Sequence, residues 1–251
     1  MMRAVRTAAS AAVLFMMVAC ASSGASRLQG LDADALYEVG HEAMRAGDWS
    51  DAIQAFERFT LQFPTHARVQ EARYRLGEAH MHEEEYITAA NEFSRLADDF
   101  PAGPWADDSR FKVCEAYYEL SPDPQLDQEY TIGALDHCQS LISYYPDSEY
   151  VERARTMHAD LTNKLAEKLY QAGDFYMNRG AIDSAIIYYE SALDQYPDTA
   201  VAPRALLRLY EAYTEIGYTT EADAARERLL RDFPESAEAG EVRGTATADA
   251  P

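Results

Sequence analysis

The feature that most restricts this chain is a period. Leu36 to Pro64 (LYEVGHEAMRAGDWSDAIQAFERFTLQFP) reads as a helix, a tight turn at Ala46-Gly47-Asp48, a second helix and a proline stop. The pattern returns 37 residues on: Gly40 becomes Gly77, Ala52 becomes Ala89, Phe56 becomes Phe93 and Pro64 becomes Pro101. Four residue types held in register describe helical hairpins, none of which can bury its apolar face without a neighbour. Gly40 is expected to face Ala52, and Gly77 to face Ala89, because paired helix backbones need small residues where they approach.

The rhythm breaks twice. Cys114 arrives on schedule for a third repeat, but its second helix is eight residues late, and the excess falls in the proline- and acid-rich loop between Leu120 and Thr131. After Pro146 a further 14 residues appear without proline or glycine. Fourteen residues are almost four helical turns, so the apolar face is preserved. This predicts one long helix from about Ser148 to Asn178. The fourth repeat carries Gly173, Gly180, Ala185 and Pro197, and the fifth Gly217, Ala222 and Pro234. Arg226 stands where other repeats place an aromatic or Cys138, which suggests a terminal repeat with a wetter outer face. The fold class is therefore all-α, a superhelical stack of about five tetratricopeptide-like hairpins split by a long helix between repeats three and four.

Before the repeats, Arg3 and Arg6 precede an apolar run from Ala8 to Val18 that ends at Ala19-Cys20. That is the layout of a signal peptide, too short to span a bilayer, which needs about 20 apolar residues. Met17-Val18-Ala19-Cys20 resembles the bacterial lipobox, which makes Cys20 the lipidation site. The segments are a signal peptide over 1–19, lipidated cysteine and flexible tether over 20–31, repeats one to three over 32–147, the long helix with repeats four and five over 148–236, and a disordered tail over 237–251.

Charge narrows the partners. With 22 Lys+Arg against 43 Asp+Glu, the net charge is −21, which disfavours nucleic acid and an anionic membrane surface. Only three lysines occur, Lys112, Lys164 and Lys168, a scarcity that reads as codon usage rather than function. His80 and His82 are two residues apart and face different sides of a helix, so no metal site is expected. Cys114 and Cys138 are expected to be buried thiols, since Cys114 should face Ala134 and leave Cys138 one turn beyond disulfide reach. No nucleophile–base set or phosphate loop can be placed on this frame, so neither an enzyme nor a cofactor is expected.

The informative surface is the inner face of the first helix in each repeat. One row reads Tyr37, Tyr74, Phe111, Tyr170, Leu207, and another, seven residues on, Met44, Met81, Tyr118, Met177, Thr214. Between them runs His41, Glu78, Glu115, Asp174, Glu211. Aromatics and methionines along a concave groove suit an extended or loosely helical apolar peptide, with Arg45 and His82 placed to meet a carboxylate. The same side chains could instead pack against the next repeat.

Taken together, the lipobox, five repeats, inserted loop and long middle helix resemble the BamD (ComL) family, lipoproteins of the outer-membrane β-barrel assembly (BAM) machinery. The most specific stretches are Gly47-Asp48-Trp49 with Ala52-Ile53, Tyr144 to Ser148, Leu161 to Gly180, and Tyr196 to Thr199. The resemblance implies a non-catalytic scaffold on the periplasmic face of the outer membrane, associated with BamA and other BAM lipoproteins. It also implies that the first repeats receive unfolded outer-membrane barrel proteins and that repeats from Ala181 to Pro234 contact BamA. The loop from Leu120 to Thr131 is shorter than in the best-known members. The rival reading is a periplasmic adaptor of another envelope system, of the pilus-assembly or Tol-Pal/cell-division type.

Overall fold

A computed structural model of the protein describes residues 28–248, with side chains through Arg243. The signal peptide and Cys20 lie outside the described residues. Two compact units divide the described residues, the first ending at Ala116 and the second beginning at Tyr117. Helices are the only regular elements among the described residues.

In the first unit, α1 (Ala33–Ala46) and α2 (Trp49–Gln62) form one hairpin, and α3 (Val69–His82) and α4 (Tyr86–Asp99) the next. α1 packs on α2, α2 on α3, and α3 on α4. α5 (Ala106–Leu120) begins in this unit, and its last residues belong to the second. Asp32 caps α1, its carboxylate accepting from the Ala35 N–H at 2.9 Å. The second helices stop at an aromatic followed by proline: Phe63, Phe100, Tyr145, Tyr196 and Phe233 are the capping residues. Proline denies its predecessor the helical region, and the aromatic still donates its own N–H four residues back, as Phe63 does to Phe59 at 2.9 Å.

The turns inside the hairpins share one geometry. Gly47, Gly180 and Gly217 take φ of 77°, 70° and 78°. At Gly47 the following N–H returns to a carbonyl five residues earlier, Asp48 to Ala43 at 2.9 Å, which satisfies a helix-end carbonyl. The second repeat makes the same turn with a glutamate: Glu84 has φ 60°, and Glu85 donates to the His80 carbonyl at 2.9 Å.

Close approach within each hairpin falls one turn further along than the sequence suggested. A Cβ on Gly40 would sit 2.7 Å from the Phe56 ring, one on Gly77 would sit 2.6 Å from Phe93, and Gly173 likewise abuts Tyr189. The small residue thus makes room for an aromatic, not for Ala52 or Ala89. Cys114 and Cys138 hold the register positions of those glycines and aromatics. Both are fully buried and disulfide-bonded, so the expectation of free thiols is corrected. The error was to pair Cys114 with Ala134 when the register pairs each glycine with the residue four later.

The second unit contains α6 (Glu129–Tyr144), α7 (Val151–Met177), α8 (Ile182–Gln195), α9 (Ala202–Glu215), α10 (Thr219–Asp232) and α11 (Ala237–Ala248). α7 is the long helix, 27 residues, and it packs against α6, α8 and α9. Its buried stripe, including Ala154, Leu161, Leu165 and Tyr170, continues through the inserted turns. The inserted loop lies on α7. Lys164 Nζ donates to the Ser121 carbonyl (3.1 Å) and hydroxyl (2.8 Å), Lys168 Nζ to the Leu126 carbonyl (2.6 Å), and Gln125 to Gln171 (2.6 Å). Two of the three lysines therefore have a structural task.

From Ala237 the structure departs from the expected disordered tail. Residues 237–248 form α11, started by the Ser236 hydroxyl accepting from the Ala239 N–H at 3.1 Å. Ala239 and Val242 enter the core beside Leu229 and Leu206. Arg226 donates to the Val242 carbonyl at 3.4 Å, so the residue read as a wet outer face is covered by this helix. Small residues and glycines disguised a segment whose burial needs only two side chains one turn apart.

Candidate functional site

The inner-face rows divide by depth. Tyr37, Tyr74 and Phe111 are buried, at 7 %, 5 % and 1 % exposure. Tyr37 packs edge-on to Phe56 and tilted on Phe59, with the Arg68 guanidinium 4.6 Å above its ring. Tyr74 meets Phe93 at 5.4 Å and Trp105 at 4.5 Å between ring centres. These three rings are core side chains, and Met44 and Met81 are half-buried. Burial and a hydrogen bond to the Glu71 carboxylate push the Tyr37 hydroxyl well above its ordinary pKa, so it stays a neutral donor.

His41 sits at the meeting of α1 and α3. Its Nε2 lies 3.9 Å from Glu71 Oε1 and has no hydrogen-bond partner. Burial is the leading cause that holds its pKa below the ordinary histidine value, outweighing the pull of Glu71. Arg75 donates to Glu78 at 2.6 Å and lies 3.9 Å from Glu71, while its own Nε is buried without a partner. The same basic–acidic step recurs at Lys112–Glu115, 2.5 Å apart. This ladder of paired charges escaped the sequence reading, although a basic residue three before an acid at positions 75 and 112 was its visible signal.

Arg45 and His82, the residues expected to meet a carboxylate of a bound peptide, each have a neighbour within the chain. Arg45 is exposed and bonded to Glu42 at 2.6 Å. His82 stacks flat on Trp49, centroids 4.0 Å apart and planes 6° off parallel. His80 is buried and holds Glu85 at 2.7 Å. Among the described residues no group of three or more His, Cys, Asp or Glu could hold a metal ion.

In the second unit Tyr118 donates to Asp160 at 3.5 Å. Tyr170 lies under the Arg204 guanidinium at 4.6 Å, and Arg204 is paired with Glu167. Arg208 joins Asp174 at 3.3 Å and Glu211 at 2.9 Å, and the Tyr189 hydroxyl donates to Asp174 at 2.6 Å. Arg208 with Glu211 repeats the ladder step. No helix among the described residues is long and apolar enough to cross a membrane.

Comparison with known proteins gives this frame a lineage. A 26 % identical relative over 199 residues is the outer membrane protein assembly factor BamD of Caulobacter vibrioides, covering 79 % of this chain and 65 % of the relative. The BamD of Rickettsia prowazekii is 31 % identical over 122 residues, 48 % of each chain. The chain thus spans from just under half to just under two thirds of the length of these relatives. Among solved structures, a tetratricopeptide protein from Bacteroides fragilis covers 87 % of this chain and 99 % of its own at 16 % identity and TM-score 0.48. The TPR2AB domain of yeast Sti1 covers 82 % and 80 % at 15 % identity and TM-score 0.44. The family model described as "YfiO: Outer membrane lipoprotein" matches residues 30–229, from the end of the tether almost to the last proline stop. A match through all five hairpins and the long helix means that the chain belongs to the YfiO family of outer membrane lipoproteins.

Proposed function

We propose that this protein is a non-catalytic scaffold of the BAM complex, held to the periplasmic face of the outer membrane by lipid on Cys20. In this reading it binds BamA through the repeats from Ala181 to Pro234 and receives unfolded barrel proteins on the inner face of the first two repeats. The observation that carries it is the family match over residues 30–229, joined to relatives that are named outer membrane protein assembly factors.

The first unit supports the receiving role through its surface chemistry. Met44 and Met81 are unbranched and polarizable, so they adapt to varied apolar side chains. Tyr37 and Tyr74, seven residues before them on the same helices, are buried. Paired charges at Arg75–Glu78 and Lys112–Glu115 keep the flank polar without a strong net field, which suits many sequences in turn.

The test is affinity purification of the tagged protein from detergent-solubilised host membranes, with mass spectrometry. BamA in near-equal amount supports the proposal. Pilus-assembly or Tol-Pal proteins in its place would overturn it and favour the adaptor reading.

A further inference from the structure

Each unit carries a groove on the side formed by its second helices, and the two grooves hold the same register. In the first unit the groove runs between α2 and α4 over Leu76, with a volume of about 610 Å³. In the second it runs between α8 and α10 over Leu209, with a volume of about 400 Å³. Their charges differ. The first is balanced: Glu57 and Glu92 line it with Arg58, Arg73 and Arg95. The second is walled by Glu190, Asp194 and Glu221, and its one lining cation, Arg228, lies 3.6 Å from Asp232.

The first groove also shows what such a site accepts. Leu28, in the segment before α1, lines it and is only 5 % exposed. One leucine from non-helical chain is therefore enough to engage a groove of this type. In the second groove every lining residue belongs to α8, α9 or α10. The floor of Leu193, Leu206 and Leu209 is apolar, Ala224 narrows one wall without filling it, and the rim is acidic.

The geometry points to the α8–α10 groove as a docking site for an extended segment of a partner protein that carries leucine-like side chains flanked by arginine or lysine. The leucine floor is itself closed, so apolar contact with the exposed Ala224, the half-buried Tyr213 and the Arg228 stem supplies the adhesion. The carboxylates select the flanking charge and orient the segment. Tyr213 donates to Glu190 at 2.6 Å, which fixes that carboxylate at the rim before any partner arrives. A fixed carboxylate lowers the ordering cost of binding. The groove lies within the repeats from Ala181 to Pro234 that the proposed function gives to BamA, so this docking site rests on that part of the reading and names the chemistry of the segment that docks there. Peptide binding by the isolated chain and recovery of BamA from membranes can fail separately.

The experiment uses the full mature chain and a fluorescein-labelled eight-residue peptide alternating leucine and arginine, read by anisotropy at low and physiological salt. A peptide with glutamate in place of arginine serves as the partner probe. Asp194→Lys with Glu221→Lys reverses the rim at two exposed positions, and Ala224→Trp blocks the cleft without changing charge. Glu57→Lys with Glu92→Lys makes the same charge change in the first groove. The expected result is a loss of at least tenfold in affinity for the rim reversal and for the plug, with the first-groove variant within about twofold of wild type. Circular dichroism should show all variants folded. Equal binding of the two peptides would mean that the carboxylates select nothing, and an equal loss from both charge-reversed pairs would reduce the effect to the overall negative charge; either result overturns the proposal. Full binding by Ala224→Trp would overturn it as well.

Discussion

Glu84 is the residue whose replacement tests the repeat logic most directly. It makes the turn that Gly47, Gly180 and Gly217 make elsewhere, with φ of 60°. An L-residue in the left-handed region carries roughly 1–2 kcal/mol of steric penalty. Glu84→Gly removes that penalty, and the greater freedom of glycine in the unfolded chain takes back roughly 0.5–1 kcal/mol. The net expectation is a gain of about 0.5–1 kcal/mol, or about 1–4 °C in Tm for a chain of this size. Glu84→Ala isolates the backbone effect, because it removes the same charge from the Glu83-Glu84-Glu85 run but keeps a Cβ. It should stay within about 0.5 kcal/mol of wild type. Gly217→Ala is the converse and should cost about 1 kcal/mol. Urea unfolding followed by circular dichroism, with the slope held constant, measures all three. If Glu84→Gly lowers the midpoint, turn strain is the wrong account; if Glu84→Ala gains as much as glycine does, charge crowding replaces it.

Other consequences can be checked alongside. Gly77→Ala forces a Cβ to within 2.6 Å of the Phe93 ring and should cost about 1–3 kcal/mol, with Phe93→Leu in the same chain recovering part of the loss. Lys164→Ala with Lys168→Ala should free the loop around Ser121 and Leu126, seen as faster amide exchange there while the repeats exchange as before. The His41 pKa is depressed in the folded state, so its contribution is full above the unfolded value of about 6.5 and declines as pH falls. Glu38, Arg45, Glu71 and Arg75 are the charges acting on it. Urea midpoints from pH 7.5 to 5 should therefore fall more steeply for wild type than for His41→Gln. A steeper fall in the variant would refute that sign.

Spacing made the hairpins legible because burial and proline stops are periodic constraints. The long helix could be placed from the same rhythm, within a few residues of Val151–Met177. What spacing could not show was depth. Tyr37 and Met44 are both apolar and seven residues apart, yet the ring at Tyr37 is held down by Phe56 and Phe59, and Met44 stays half-buried. Nor could spacing reveal the disulfide state of Cys114 and Cys138, which turns on which residue of the second helix faces the first. α11 was missed for a third reason. Its helix is stabilised by the surface of repeat five that it covers, and its own composition carries little of that signal.

The fixed lysines bear on how this protein can be studied. Lys164 and Lys168 donate to carbonyl groups of the inserted loop, and Lys112 is paired with Glu115. Burial also pushes the Lys164 pKa below the ordinary lysine value. An amine-reactive cross-linker would find three side chains already engaged, and modifying Lys164 or Lys168 would pull the loop from the helix it was meant to map. Carboxylate-directed coupling, with 43 acidic residues to choose from, is the reagent class that can chart this molecule's neighbours without dismantling it.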